Sequence, residues 1–221
     1  MTMREVKFGH SSDRRRSDSS ANCSPMRHEI PMLKIDEAKL ESDPQYRYEY
    51  LADFIGFGAD DVKLIQAAAP QVGPRIGDLV DETYAKLLSY DATARHFVQK
   101  QHGFEGETPP ALAALDASHP QIQFRKDHLS RFFVALIGRA YDAKMVHYLD
   151  MVGKIHTASA GNGEISIPLV QMNALMGLLS DILADVLIAS PLSSEATLET
   201  IRAFNKLLWI QNDFISRHYV A

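Results

Sequence analysis

The chain has 221 residues, of which 46% are hydrophobic, and a formal net charge of -5. This length and composition suit one globular core, and the acidic balance provides no basic field of the kind that attracts nucleic acid. Cys23 is the only cysteine of the sequence. Disulfides within the chain and metal sites built from several thiolates are therefore excluded.

Residues 1–30 differ in composition from the rest of the chain. The stretch "SSDRRRSDSSANCSP" is rich in serine and arginine and nearly free of large apolar side chains. Such a segment cannot bury enough apolar surface to offset the entropy lost on ordering. We therefore expect a disordered arm over residues 1–30, followed by one folded domain over residues 31–221.

From about Pro44 onward, apolar residues recur at helical spacings. In the first part of the domain this pattern predicts three helices, in "YRYEYLADFIGF", "GADDVKLIQAAAP" and "PRIGDLVDETYAKLLSY". We expect Gly56 to end the first helix and Asp60 to cap the second. Residues 89–120, which include "GFEGETPP", predict short helical turns around a long loop.

The second part of the domain predicts four longer helices, in "QIQFRKDHLSRFFVALIG", "YDAKMVHYLDMVGKIH", "IPLVQMNALMGLLSDILADVLIASP" and "SSEATLETIRAFNKLLWIQNDFISRHYV". The third of these is apolar nearly all round, which is typical of a helix in a core or a subunit interface. No convincing strand pattern is present. The sequence therefore predicts an all-α fold of seven or eight helices.

His156 is a candidate site residue, because a buried imidazole needs either a hydrogen-bond partner or a metal. It lies at the end of an apolar stripe formed by Met145, Leu149 and Val152. The motifs of di-iron bundles, zinc hydrolases, phosphate-binding loops and serine-hydrolase elbows are absent from the sequence. One imidazole alone does not hold zinc or copper tightly, but it can hold a haem, because the porphyrin supplies four nitrogens. From spacing alone, a buried histidine bonded to a carbonyl remains the other interpretation.

The order of residues around His156 resembles the proximal region of protoglobins and globin-coupled sensors. The matching positions in "RAYDAKMVHYLDMVGKIH" are Arg139, Tyr141, Asp142, Tyr148, Gly153 and His156. Upstream, "DETYAKLL" resembles the family's distal helix, with Tyr84 as its distal tyrosine, and "HLSRFF" resembles the next distal helix, with Leu129 facing the pocket. "YRYEYLADFIGF" resembles the extra N-terminal helix of the family. The resemblance covers about residues 44–220.

The resemblance implies a globin-like fold with an extra N-terminal helix and a haem b cofactor whose iron is bound by His156. The haem-pocket residues that it implies are Tyr84, Leu129, Phe97, Phe133, Val152 and Tyr148. We expect a five-coordinate iron that reversibly binds oxygen, CO or NO in a gas sensor or carrier, and no enzymatic activity. Just before the distal tyrosine, protoglobins often have an aromatic residue, where this chain has Thr83. Some have phenylalanine where this chain has Leu129. These two differences make the pocket more similar to that of the sensor globins. His128 could compete as a sixth ligand of the iron, but we expect it to point outward or to the haem propionates, because Leu129 takes the inward position.

The partners that we expect are a diatomic gas and a second copy of the chain, joined through helices over residues 169–188 and 194–219. Any output domain is expected to be a separate protein. With no apolar signal core and no long uninterrupted apolar run, we expect a cytoplasmic protein without membrane or nucleic-acid contacts. Two alternatives stay open: a haem-free, globin-like dimeric signalling module, and a haem enzyme such as an NO dioxygenase or peroxidase.

Overall fold

The computed structural model describes residues 32–160 and 165–219. The predicted arm over residues 1–30 lies outside the described residues. The folded unit begins at Asp36.

The described residues form helices and turns without a strand, so the predicted all-α class is confirmed. The α-helices are α1 (Glu37–Ser42), α2 (Pro44–Ile55), α3 (Ala59–Ala67), α4 (Ala69–Val72), α5 (Ile76–Leu88), α6 (Asp91–Ala94), α7 (Pro120–Gly138), α8 (Ala143–Lys154), α9 (Leu169–Ile188) and α10 (Ser194–Ser216). Short 3-10 turns follow α4 and α6 and lie in the loops before α7 and α9, at Gly73–Arg75, Arg95–Phe97, Leu112–Ala114 and Ala158–Ala160.

The ends of the first helices follow local chemistry. Asp43 caps α2 through its carboxylate, which accepts the Gln45 and Tyr46 backbone N–H groups. Gly56 ends α2 with a φ of 67°, a conformation that favours glycine. The prediction that Asp60 caps α3 is wrong, because α3 begins after Gly58 and Asp60 lies in its first turn.

The C-terminal helix α10 is the element around which the others assemble. It packs against α9, α8, α3 and α2. Its buried side chains and those of its neighbours form one continuous apolar core. The fully buried members with the largest side chains are Phe133, Phe204, Phe214, Ile65, Leu79, Ile122, Leu136, Met145, Leu149, Leu183, Leu187 and Leu207.

Partly buried ion pairs join α10 to the elements around it. The Arg47 guanidinium of α2 bonds the Asp213 carboxylate of α10, with Nη2 2.9 Å from Oδ1. Nearer the N-terminus of α10, the Lys206 ammonium lies 2.8 Å from the Asp61 carboxylate of α3. These contacts hold the N-terminal helices against α10.

Helix α9 is long and apolar enough to cross a membrane, and it is the one such helix in the described part of the chain. Core helices of soluble proteins pass the same test of length and composition. Seven residues of α9 are buried in the protein: Met172, Met176, Leu179, Ile182, Leu183, Val186 and Leu187. The expected absence of a membrane segment stays a prediction.

Candidate functional site

A cavity of about 310 Å³ lies between helices α5, α7, α8 and α9, with α10 at its base. Its wall is mainly apolar and includes Leu87, Leu129, Phe132, Val152 and Met176. A volume of this order and an apolar lining with a few polar groups are typical of small-molecule sites, which span roughly 300–1,000 Å³.

His156 lies in the wall of this cavity, just after the end of α8. Its Nδ1 is 2.8 Å from the carbonyl oxygen of Val152, one turn back along the chain. When Nδ1–H donates this bond, the free lone pair of the neutral ring is on Nε2. Burial, reinforced by the charge of Arg125, lowers the pKa of His156 to about 4. The imidazole is therefore neutral at pH 7, which is the form that binds metals.

The start of α8 is determined by the first residues of the proximal motif. The Asp142 carboxylate accepts the backbone N–H groups of Lys144 and Met145, at 2.9 Å and 3.1 Å. Just before it, the Tyr141 hydroxyl donates to the carbonyl oxygen of Leu136 at the end of α7, at 2.7 Å. The motif thereby joins α7 to α8, which are two of the helices around the cavity.

Two further motif residues orient α8 against its neighbours. The guanidinium of Arg139 lies over the ring of Tyr148, 4.7 Å from its centroid. At the other end of α8, a Cβ on Gly153 would come within 2.1 Å of the carbonyl oxygen of Phe214 in α10. The backbones of α8 and α10 therefore approach each other as closely as only glycine permits.

Tyr84 lies in the cavity wall on α5 and is 4% exposed. Burial raises the pKa of its phenol, although the charge of Arg125 opposes this shift. The hydroxyl therefore keeps its proton at neutral pH and can donate a hydrogen bond. The ring of Phe97 packs against Tyr84 with centroids 5.7 Å apart.

The cavity brings together six of the seven residues that the family resemblance implied: His156, Tyr84, Leu129, Phe97, Val152 and Tyr148. The seventh, Phe133, is fully buried and does not line the cavity. Its neighbour Phe132 does. Adjacent residues of a helix point about 100° apart, so Phe133 faces the core on the other side.

Helix α7 contributes two polar residues to the cavity that were not among the pocket residues implied by the family resemblance. Arg125 and His128 both line the cavity, so His128 does not point outward, and the other expectation, that it faces the haem propionates, stays a prediction. The His128 Nδ1 lies 2.8 Å from the Phe124 carbonyl oxygen. Both residues share the cavity face of α7 with Leu129 and Phe132, at spacings of three and four. The same spacing in the sequence was a signal that pointed to them.

A further part of the wall comes from α9 and the segment before it. Its apolar members are Ile165, Ile167, Met172, Leu175, Met176 and Leu179. In the sequence they carry no signal other than their apolarity. Their place in the cavity follows from the packing of α9 beside α5 and α10.

The donor set of the cavity suits haem better than a bare metal ion. Among the described residues there is no group of three or more His, Cys, Asp or Glu side chains that could hold a metal ion. A single imidazole is sufficient when the remaining equatorial ligands come from a porphyrin. The apolar walls match the faces of such a ring, and Tyr84 offers a polar hydrogen within the same cavity.

Comparison with known proteins identifies the family and a related fold. The family model described as Protoglobin matches residues 45–221. The globin domain of a Geobacter sulfurreducens globin-coupled sensor has a similar structure, with a TM-score of 0.62 and 18% sequence identity. The match covers 78% of this chain and 97% of that domain, and it shows a common fold. No curated protein matches the chain. The chain belongs to the protoglobin family.

Proposed function

We propose that this protein binds haem b through His156 and reversibly binds a diatomic gas, with oxygen, CO and NO as candidates, as a gas sensor or carrier. One observation supports this most directly: the neutral imidazole of His156, bonded through Nδ1 to the Val152 carbonyl, lies in the wall of an apolar cavity. The bound haem would supply an iron whose second axial position is open to a gas.

On the proximal side, the chain holds the His156 ring in one orientation. The 2.8 Å bond to Val152 selects the tautomer whose lone pair is on Nε2, and such bonds also increase the basicity of a ligating imidazole. The backbone is held as well, since the His156 carbonyl oxygen accepts the N–H of Ile167 at 3.1 Å. A ligand restrained in this way loses little entropy when it binds iron.

On the distal side, Tyr84 would stabilise a gas ligand that carries partial negative charge. Its hydroxyl is the donor, and Phe97, Leu129 and Phe132 form an apolar part of the same wall. A hydrogen bond with a charged partner contributes roughly 1.5–3 kcal/mol. This corresponds to about a tenfold to hundredfold change in the dissociation rate of the ligand.

Uptake of haem by the purified protein tests this function. Titration of the haem-free protein with haemin is expected to give a Soret band that saturates at one haem per chain. Reduction and addition of CO should then shift the band. A protein that takes up no haem in a saturable way would contradict the proposal and favour the haem-free signalling module.

We further propose a homodimer formed by α9 and α10. These two helices pack side by side, and a surface groove runs between them, lined by Gly177, Asn205 and Trp209 among others. The Trp209 side chain is 62% exposed, and Val170 of α9 is 72% exposed. Two copies of this surface related by a two-fold axis would form a four-helix bundle and cover these apolar side chains.

The likeness to the globin domain of a globin-coupled sensor favours sensing over gas storage. We propose that the gas-bound and gas-free states are read by an output partner. We also propose that the protein is located in the cytoplasm and that it binds its gas ligand without catalysing a reaction.

A further inference from the structure

Arg125 is a cation in the wall of a mainly apolar cavity. It belongs to α7 and lies one helical turn before Leu129, on the same face of the helix. None of the ion pairs among residues 32–160 and 165–219 includes its guanidinium. Its Nε is buried and has no hydrogen-bond partner among these residues.

This environment is costly for a positive charge. Arg125 is half-buried, and its buried Nε–H has lost hydration that no described residue replaces with a hydrogen bond. Among the described residues that line the cavity there is no Asp or Glu. These residues therefore supply no negative partner for the Arg125 guanidinium.

The position of the guanidinium indicates where that partner binds. Arg125 lines the same cavity as Tyr84 of α5 and His156 after α8. The side chain is half-buried, so part of it faces the cavity wall that it shares with these two residues. A small anion in the cavity can therefore reach the guanidinium and the residues assigned to ligand binding together.

We propose that Arg125 makes the cavity a receptor for small monovalent anions, which bind on the Tyr84 side with the guanidinium as charged hydrogen-bond donor. This inference rests on the proposed haem function and specifies a second class of ligand for the same site. The ferric state is the relevant one, because its extra positive charge also attracts anions. Fluoride, azide, cyanide and nitrite belong to this class.

The proposal predicts a selective change in ligand affinity. In the ferric haem protein, Arg125→Leu should weaken the binding of azide and fluoride by about tenfold to a hundredfold, through loss of one charged hydrogen bond. Binding of imidazole, a neutral ligand, should be unchanged. Arg125→Lys should retain part of the anion affinity, because it keeps the charge and loses the planar fork.

Arg131→Leu is the matched control. It removes the same charge from the same helix, but Arg131 is exposed and does not line the cavity. Its affinities for azide, fluoride and imidazole should equal those of the unsubstituted protein. Equal losses of anion affinity in both variants would show a general charge effect and overturn the proposal.

The experiment also distinguishes the other source of negative charge, a haem propionate. Haem loss is measured by transfer to excess apomyoglobin, and the thermal unfolding of the haem-free variants is measured beside it. Faster haem loss from Arg125→Leu with unchanged anion affinity would overturn the proposal in favour of a propionate contact. A fall in the Tm of haem-free Arg125→Leu well below that of Arg131→Leu would overturn it in favour of a structural role. Absence of a Soret band in the unsubstituted protein would instead refute the haem proposal itself.

Discussion

Gly153 of α8 lies against the backbone of Phe214 in α10, where an added Cβ would come within 2.1 Å of the Phe214 carbonyl oxygen. The contact involves backbone, which cannot move aside as a flexible side chain does. It determines how closely α8 approaches α10, and so where His156 lies relative to the cavity floor formed by Gln211 and Ile215. A family motif residue three positions before the histidine thus acts through packing.

Gly153→Ala should therefore destabilise the protein. Forcing α8 away from α10 is expected to cost about 3 kcal/mol, the upper part of the range for overpacked cores. For a domain of this size the Tm should fall by about 6–12 °C. Thermal unfolding of the haem-free protein measures this, and haem affinity should fall in parallel. Gly77→Ala is the control, because a Cβ at this helical position meets no atom within 4 Å; its Tm should stay or rise. An unchanged Tm in Gly153→Ala would refute the role of the close approach.

His156→Ala should abolish the Soret band of the purified protein, since the variant lacks the proposed iron ligand. Added imidazole should restore the band by filling the space of the missing ring. The matched control is His147→Ala, which removes an exposed histidine from the same helix and should retain full haem content. A His156→Ala variant with a normal spectrum would show that another residue binds the iron.

Tyr84→Phe should raise the oxygen dissociation rate by about tenfold or more, because the donor of the distal hydrogen bond is lost. CO should respond less, because it carries little negative charge when bound. Stopped-flow measurements of both gases test this. Tyr141→Phe is the control: its hydroxyl bonds the Leu136 carbonyl outside the cavity, so both rates should be unchanged. Equal acceleration of both gases in Tyr84→Phe would indicate a steric role.

Trp209→Glu should convert the proposed dimer to a monomer, because a carboxylate at the centre of an apolar contact loses hydration without gaining a partner. Light scattering at micromolar concentration should show half the mass, with a nearly unchanged haem spectrum. Val134→Glu places the same charge at an exposed valine of α7, outside the proposed interface, and should leave the dimer intact. An unsubstituted protein that has the mass of one chain at all concentrations would exclude the dimer.

The sequence by itself determined the helical class and the identity of the proximal motif. Both depend on residues that lie within one or two helical turns of each other in the chain. The apolar residues of α5 repeat at helical spacing, so their burial from Ile76 to Tyr84 was predictable. The same holds for Asp142, whose carboxylate caps the helix that it begins.

Only the tertiary structure decided which residues share the cavity. Phe132 and Phe133 are equally apolar, and the orientation of α7 against α5 selects the first for the cavity and the second for the core. The same orientation places Arg125 at the cavity. Whether a carboxylate of the described residues reaches its guanidinium depends on the side chains that the neighbouring helices present there, and none does. Rotation and distance between helices are set by packing among residues far apart in the chain, which local periodicity does not encode.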